Sequence, residues 1–121
     1  MAKPRILLVD DDASVLDLTQ ELLGLAGYAV LPAAGAAAAL AHLAAGEQFD
    51  ALITDHSMPG MSGEELIIRV RTLVPALPCL LMTGHGDMAE ELSVEVAVLR
   101  KPFRASELAA AVREVLASEV E

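Results

Sequence analysis

The sequence predicts an α/β sandwich in which a parallel five-stranded sheet carries helices on both faces. Three observations predict it. Short, unbroken apolar runs recur along the chain, as strands buried on both sides require. Stretches with apolar residues at helical spacing separate them, which makes βαβ units with right-handed crossovers. The pattern fills 121 residues without a linker or a repeat beyond alanine bias. One domain over residues 1–121, with no effector or DNA-binding domain, is therefore expected.

The elements follow in order. Arg5–Asp10 (RILLVD) is an apolar run ending in acid, a buried first strand. From Ala13 to Ala26 the residues Val15, Leu18, Leu22 and Leu25 recur at helical spacing, and Gly27 ends the helix. Tyr28–Leu31 is a short strand closed by Pro32, and Ala36–Ala45 an alanine-rich helix stopped by Gly46. Phe49–Thr54 is the third strand, ending at Asp55, with turn chemistry at Met58-Pro59-Gly60. Ser62 starts a helix with Glu65 in capping-box register, and Leu66, Ile67, Val70 and Leu73 form its apolar stripe before Pro75 and Pro78. Cys79–Met82 is the fourth strand, ending at Thr83. Gly84 to Ser93 is weakly patterned, with room for one short or irregular helix. Val96–Leu99 is the fifth strand, followed by Arg100-Lys101-Pro102. Ser106–Ala117 is the last helix, with Leu108, Ala111, Val112 and Val115 inward. Five strand–helix pairs in this length indicate the doubly wound, flavodoxin-like (βα)5 class with strand order 2-1-3-4-5.

Composition narrows the function. Hydrophobic residues make up 55% and charged residues 21%, the balance of a globular chain. Phe49, Phe103 and Tyr28 are the only aromatics, so the core is aliphatic. No apolar run approaches the roughly 20 residues of a membrane span, so no membrane insertion is expected. The opening MAKPRILLVDDD turns acidic too soon for a signal peptide, and the cytoplasm is the expected compartment. Cys79, the single cysteine, has no partner for an internal disulfide and reads as an inert core residue. Eighteen acidic residues against eight basic ones give a net charge of −10, which argues against nucleic acid as a partner. Such a surface suits a cation site and a protein partner.

Four strands stop at a polar residue: Asp10-Asp11, Asp55, Thr83 and Lys101. In a parallel sheet these ends share one edge, where ligands bind at the switch point between the first and third strands. Three carboxylates gathered there repel one another by about 4 kcal/mol per pair at ~4 Å and an effective dielectric of ~20. They must take up protons or hold a cation, and oxygen-only ligands favour a hard ion such as Mg2+. Lys101 adds a positive charge and Thr83 a hydroxyl. An acid nucleophile, a Mg2+ site, a lysine and a hydroxyl are the parts needed for phosphoryl transfer to a carboxylate. Each has a plainer reading: a turn aspartate, helix-capping acids, a strand-end threonine, a solvated lysine. Their joint placement at four strand ends argues against it.

ILLVDDD, LITDHSMPGMSG, LLMTG and LRKPF resemble, in order and near spacing, the receiver domains of two-component response regulators over essentially the whole chain. The stretches LITDHSMPGMSGEEL and LLMTGH also resemble the terminal receivers of hybrid histidine kinases, beside a free-standing regulator or phosphate shuttle. The resemblance implies that Asp55 accepts a phosphoryl group from a phosphohistidine on a sensor histidine kinase or histidine phosphotransfer protein, reversed by hydrolysis. The chain then acts on itself, not as a classical enzyme, and signals to an unknown downstream protein. It implies Mg2+, with Mn2+ as a substitute, held by Asp11, Asp55 and the Ser57 backbone carbonyl, and through water by Asp10. It gives Thr83 and Lys101 the phosphoryl oxygens, makes the Lys101–Pro102 bond cis, and makes Ser57 and His85 modulators of phosphoryl lifetime. Asp12 is left to cap the first helix. His56 has no partner at zinc-ligand spacing, and His42 reads as a surface residue.

The sequence also departs from the family. Val98 stands where an aromatic usually couples to the site hydroxyl. The Thr83–Lys101 segment is short by roughly one helical turn, and the Gly-Ala pair before the fifth strand is missing. A small or differently routed conformational response is expected. Two alternatives remain at this stage. One is a degenerate receiver that only binds protein. The other is a haloacid-dehalogenase-like phosphohydrolase, which puts its nucleophile in a first-strand DxD and normally carries a cap domain.

Overall fold

Along β1 (Arg5–Val9) the side chains alternate between two hydrophobic layers. Leu7 and Val9 enter one layer, Ile6 and Leu8 the other, and all four are fully buried. This alternation explains why the strand reads as a continuous apolar run. The computed structural model describes residues 3–84 and 94–118. In it α1 (Ala13–Leu25), β2 (Ala29–Ala33), α2 (Ala36–Ala44), β3 (Ala51–Asp55), α3 (Gly63–Leu73), β4 (Cys79–Thr83), β5 (Ala97–Arg100) and α4 (Ala105–Ser118) follow β1. The sheet is parallel with order β2-β1-β3-β4-β5, as expected. The layer holding Leu7, Leu52 and Leu81 is closed by α2 and α3, and the layer holding Ile6, Ile53 and Leu80 by α1 and α4.

Caps set the helix starts. The Asp12 carboxylate accepts from the N–H groups of Ser14 (3.0 Å) and Val15 (3.2 Å) at the start of α1. At α3, Ser62 Oγ accepts from Glu65 N at 3.1 Å while Glu65 accepts from Ser62 N at 2.9 Å, completing the capping box.

Three expectations need correction. In α1 the buried stripe is Leu16, Thr19 and Leu23, whereas Leu18 and Leu25 are 58% and 81% exposed. The helix carries leucines on two sides, and periodicity could not choose between them. Pro32 does not close β2 but lies within it, opposite Leu8. An edge strand tolerates the missing N–H. Leu73 leaves the α3 stripe and is 52% exposed, at the last turn of that helix. The helix expected between Gly84 and Ser93 lies outside the described residues, as does His85.

Candidate functional site

The strand register brings the four polar ends together. β3 lies between β1 and β4, so Asp55, its last residue, sits between Asp10, just past β1, and Thr83, the end of β4. Lys101 follows β5, and its backbone N–H donates to the Thr83 carbonyl at 2.7 Å. The Lys101–Pro102 peptide is cis, as expected.

The side chains converge. Lys101 Nζ donates to Asp55 Oδ1 at 2.7 Å and lies 3.7 Å from Asp10 Oδ2. Asp10 Oδ1 accepts from the Asp12 N–H at 2.9 Å, which turns the chain out of β1 and into α1. Asp10, Asp11 and Asp55 each offer a carboxylate oxygen within 4.8 Å of the others, the one such cluster of potential metal ligands among the described residues. Asp10 and Asp55 are buried and Asp11 is exposed, so the cluster opens to solvent on one side.

Burial pushes the Asp10 carboxyl above the usual aspartate range, and the charges of Asp55 and Asp11 add to the push. The Asp12 N–H and Lys101 act against it. For Lys101, burial works against the charged form. The hydrogen bond and charge of Asp55, helped by Asp10, outweigh it and hold the ammonium above the ordinary lysine value. The site is thus short of positive charge on the Asp10–Asp11 side and supplied with it on the Lys101 side.

At the site, the buried oxygens Asp10 Oδ2 and Thr83 Oγ1 make no hydrogen bond among the described residues. Leaving such an atom unpaired costs about 1–3 kcal/mol. Both belong to the strand ends that flank Asp55. Their oxygen-only chemistry fits a hard cation at Asp10 and an acceptor group at Thr83. Ser57, two residues beyond Asp55, is exposed.

Two supports escaped the sequence reading. Gly63, the first residue of α3, packs against the end of β3: a Cβ there would overlap the Asp55 carbonyl oxygen and meet Leu81 Cδ1 at 2.8 Å. Its N–H donates to the His56 carbonyl at 2.8 Å, closing the loop after Asp55. Only the S-G pair after the turn hinted at this. Thr54, fully buried, donates its hydroxyl to the Asp55 carbonyl at 3.0 Å. It was hidden inside an apolar strand. Elsewhere, His42 is half-buried, with Nδ1 2.6 Å from Glu47 Oε2, so it is more tied down than a surface residue. Cys79 is buried and its thiol is pushed up to about 11 by that burial, which suits a core residue and not a nucleophile.

The chain matches the response regulator receiver domain over residues 6–113. It is 40% identical over 116 residues to the C4-dicarboxylate transport transcriptional regulatory protein DctD of Rhizobium meliloti, covering 93% of this chain and 25% of that protein. The chain thus spans about a quarter of that relative's length. It is 32% identical to sporulation initiation phosphotransferase F of Bacillus subtilis, with 96% of both chains covered. Among solved structures, a response regulator receiver protein from Sinorhizobium medicae superposes with a TM-score of 0.88 at 28% identity, covering 97% of each chain.

Proposed function

The chain belongs to the response regulator receiver domain family, the phosphoacceptor modules of two-component signalling, and on that premise we propose that Asp55 is the residue that takes the phosphoryl group. One observation carries the reading: Asp55, at the end of the central strand, is gripped by Lys101 on one side and faces Asp10 and Asp11 on the other. The donor class is a phosphohistidine on a sensor histidine kinase or histidine phosphotransfer protein. An Asp55 carboxylate oxygen attacks phosphorus, the P–N bond breaks, and the imidazole leaves with its electron pair and takes up a proton. In the reverse direction water attacks phosphorus, the P–O bond to Asp55 breaks, and inorganic phosphate leaves. The chain changes only its own state in this cycle.

Lys101 Nζ, now on Asp55 Oδ1, meets the phosphoryl oxygens once that carboxylate is esterified. Thr83 Oγ1, buried without a partner, then gains an acceptor. Asp10, Asp11 and Asp55, with the Ser57 carbonyl, are the residues that would hold Mg2+, and Mn2+ has the same preference for oxygen. When bound, the ion offsets the charge that builds up on the phosphoryl oxygens. Ser57 and His85 are assigned to phosphoryl lifetime, and the cytoplasm, where kinase and receiver meet, is the compartment.

The test is incubation with acetyl phosphate, with and without Mg2+, followed by mass spectrometry. One phosphoryl adduct is expected on the wild-type chain with Mg2+, and none on Asp55→Asn or after EDTA. In the same assay Ser57→Asn changes the decay rate of the adduct. A wild-type chain that takes no phosphoryl group, or an adduct that survives Asp55→Asn, would overturn the assignment.

A further inference from the structure

Thr54 places a hydroxyl in a strand that is otherwise apolar up to Asp55, and it is fully buried. Alternation along β3 sends its side chain the same way as Leu52, into the layer closed by α2 and α3. Val9 of β1 and Leu81 of β4 stand beside it in register, and both belong to that layer. A hydroxyl among aliphatic side chains costs free energy unless it is hydrogen-bonded. Valine would fill nearly the same space without that cost. What the oxygen does there is told by its hydrogen bond.

Thr54 Oγ1 donates to the Asp55 carbonyl at 3.0 Å. Gly63, at the start of α3, covers the same carbonyl so closely that a Cβ there would overlap it. The nitrogen end of that peptide group is held too, since the His56 N–H donates to the Met82 carbonyl at 2.9 Å. One residue on, the His56 carbonyl accepts from the Gly63 N–H at 2.8 Å. The Asp55–His56 peptide is planar, so gripping it at both ends fixes the rotation about the Asp55 Cα–C bond. That rotation decides where the chain goes after the strand. It therefore sets how far the Ser57 carbonyl lies from the Asp55 carboxylate.

We propose that Thr54 is a positioning residue for the site: its hydroxyl fixes the Asp55–His56 peptide and, through it, the spacing between the Asp55 carboxylate and the Ser57 carbonyl. Those are two of the groups assigned to Mg2+ above, and the proposal rests on that reading. Thr54 itself lies in the apolar layer beneath α3 and acts only through the backbone. A group that orients a ligand from behind in this way is worth about 10–100-fold in metal affinity or activity.

Amide NMR on the whole chain tests it, with Thr54→Val removing the hydroxyl and Thr54→Ser keeping it. In the metal-free chain, Thr54→Val should speed hydrogen exchange at the His56 and Gly63 amides by up to about tenfold, the worth of one hydrogen bond, while Leu52 and Ile53 keep their rates. Titration with Mg2+ alone should give a dissociation constant raised about tenfold or more in Thr54→Val. Acetyl phosphate labelling at saturating Mg2+ should slow as well. Thr54→Ser should match the wild type in all three. A Thr54→Val chain that unfolds at lower urea yet binds Mg2+ as tightly as the wild type would make the hydroxyl a matter of packing and overturn the proposal. A wild type that binds no Mg2+, or a Thr54→Ser chain as weak as Thr54→Val, would overturn it too. Failure of the Asp55 assignment looks different: the wild type then takes no phosphoryl group, while Mg2+ affinity still separates Thr54→Val from Thr54→Ser.

Discussion

β3 and β5 both deliver a residue to the site, Asp55 at the end of one and Lys101 just after the other, yet they are built differently. All five residues of β3 are buried, and the strand is paired on both sides, by β1 and β4. Among the described residues β5 is paired only by β4, and three of its four residues are exposed, among them Val98 at 39%. Asp55, the proposed acceptor, is therefore set at the end of a fully buried central strand. Its cationic partner rides on an edge, held by the backbone bond to Thr83 and the ion pair to Asp55. The contrast teaches that the position of Asp55 is fixed by the fold, whereas that of the lysine depends on the site's own contacts. Val98, too small and too exposed to act as an aromatic reporter, belongs to the second kind.

The largest effect expected from this contrast lies at the loosely held end. Lys101→Met removes the one cation that touches Asp55 among the described residues and should lower the rate of acetyl phosphate labelling by about 10²-fold, the usual loss when one electrostatic donor is withdrawn. A variant labelled at the wild-type rate would break the comparison, since the edge strand would then contribute nothing to the chemistry.

Next in size is a pair of small side-chain enlargements read by urea unfolding. Gly63→Ala places a Cβ against the Asp55 carbonyl and should cost about 1–3 kcal/mol. Ala97→Thr, exposed on β5, should stay within about 0.5 kcal/mol. Equal losses at the two positions would mean that the edge is packed as tightly as the centre.

The same contrast explains what the sequence made legible. The buried strands announced themselves as apolar runs, and their polar ends named Asp10, Asp55 and Thr83 because a parallel sheet leaves little choice about which edge they share. Caps at Asp12 and Ser62 were equally readable, since capping is local chemistry. The buried side of α1 was not, because leucines occupy two sides of that helix and only contact with the sheet selects Leu16 and Leu23 over Leu18 and Leu25. The role of Gly63 was hidden for a related reason. The clash it avoids is with β3 and Leu81, partners that only the folded chain brings near.

The smallest effect sharpens the comparison most. Thr83 closes β4 and is fully buried, yet its hydroxyl has no hydrogen-bond partner. A group kept only for packing would gain from losing that oxygen, because valine fills nearly the same space without an unsatisfied polar atom. Thr83→Val should therefore raise the unfolding free energy by up to about 1 kcal/mol. In the same chain phosphoryl labelling should slow, since on the proposed reading the hydroxyl finds its acceptor only when Asp55 carries the phosphoryl group. Opposite signs for stability and labelling would mark Thr83 as a residue of the centre held there for chemistry. A stability loss with unchanged labelling would make it an ordinary end to a buried strand, and the unpaired oxygen would need another account.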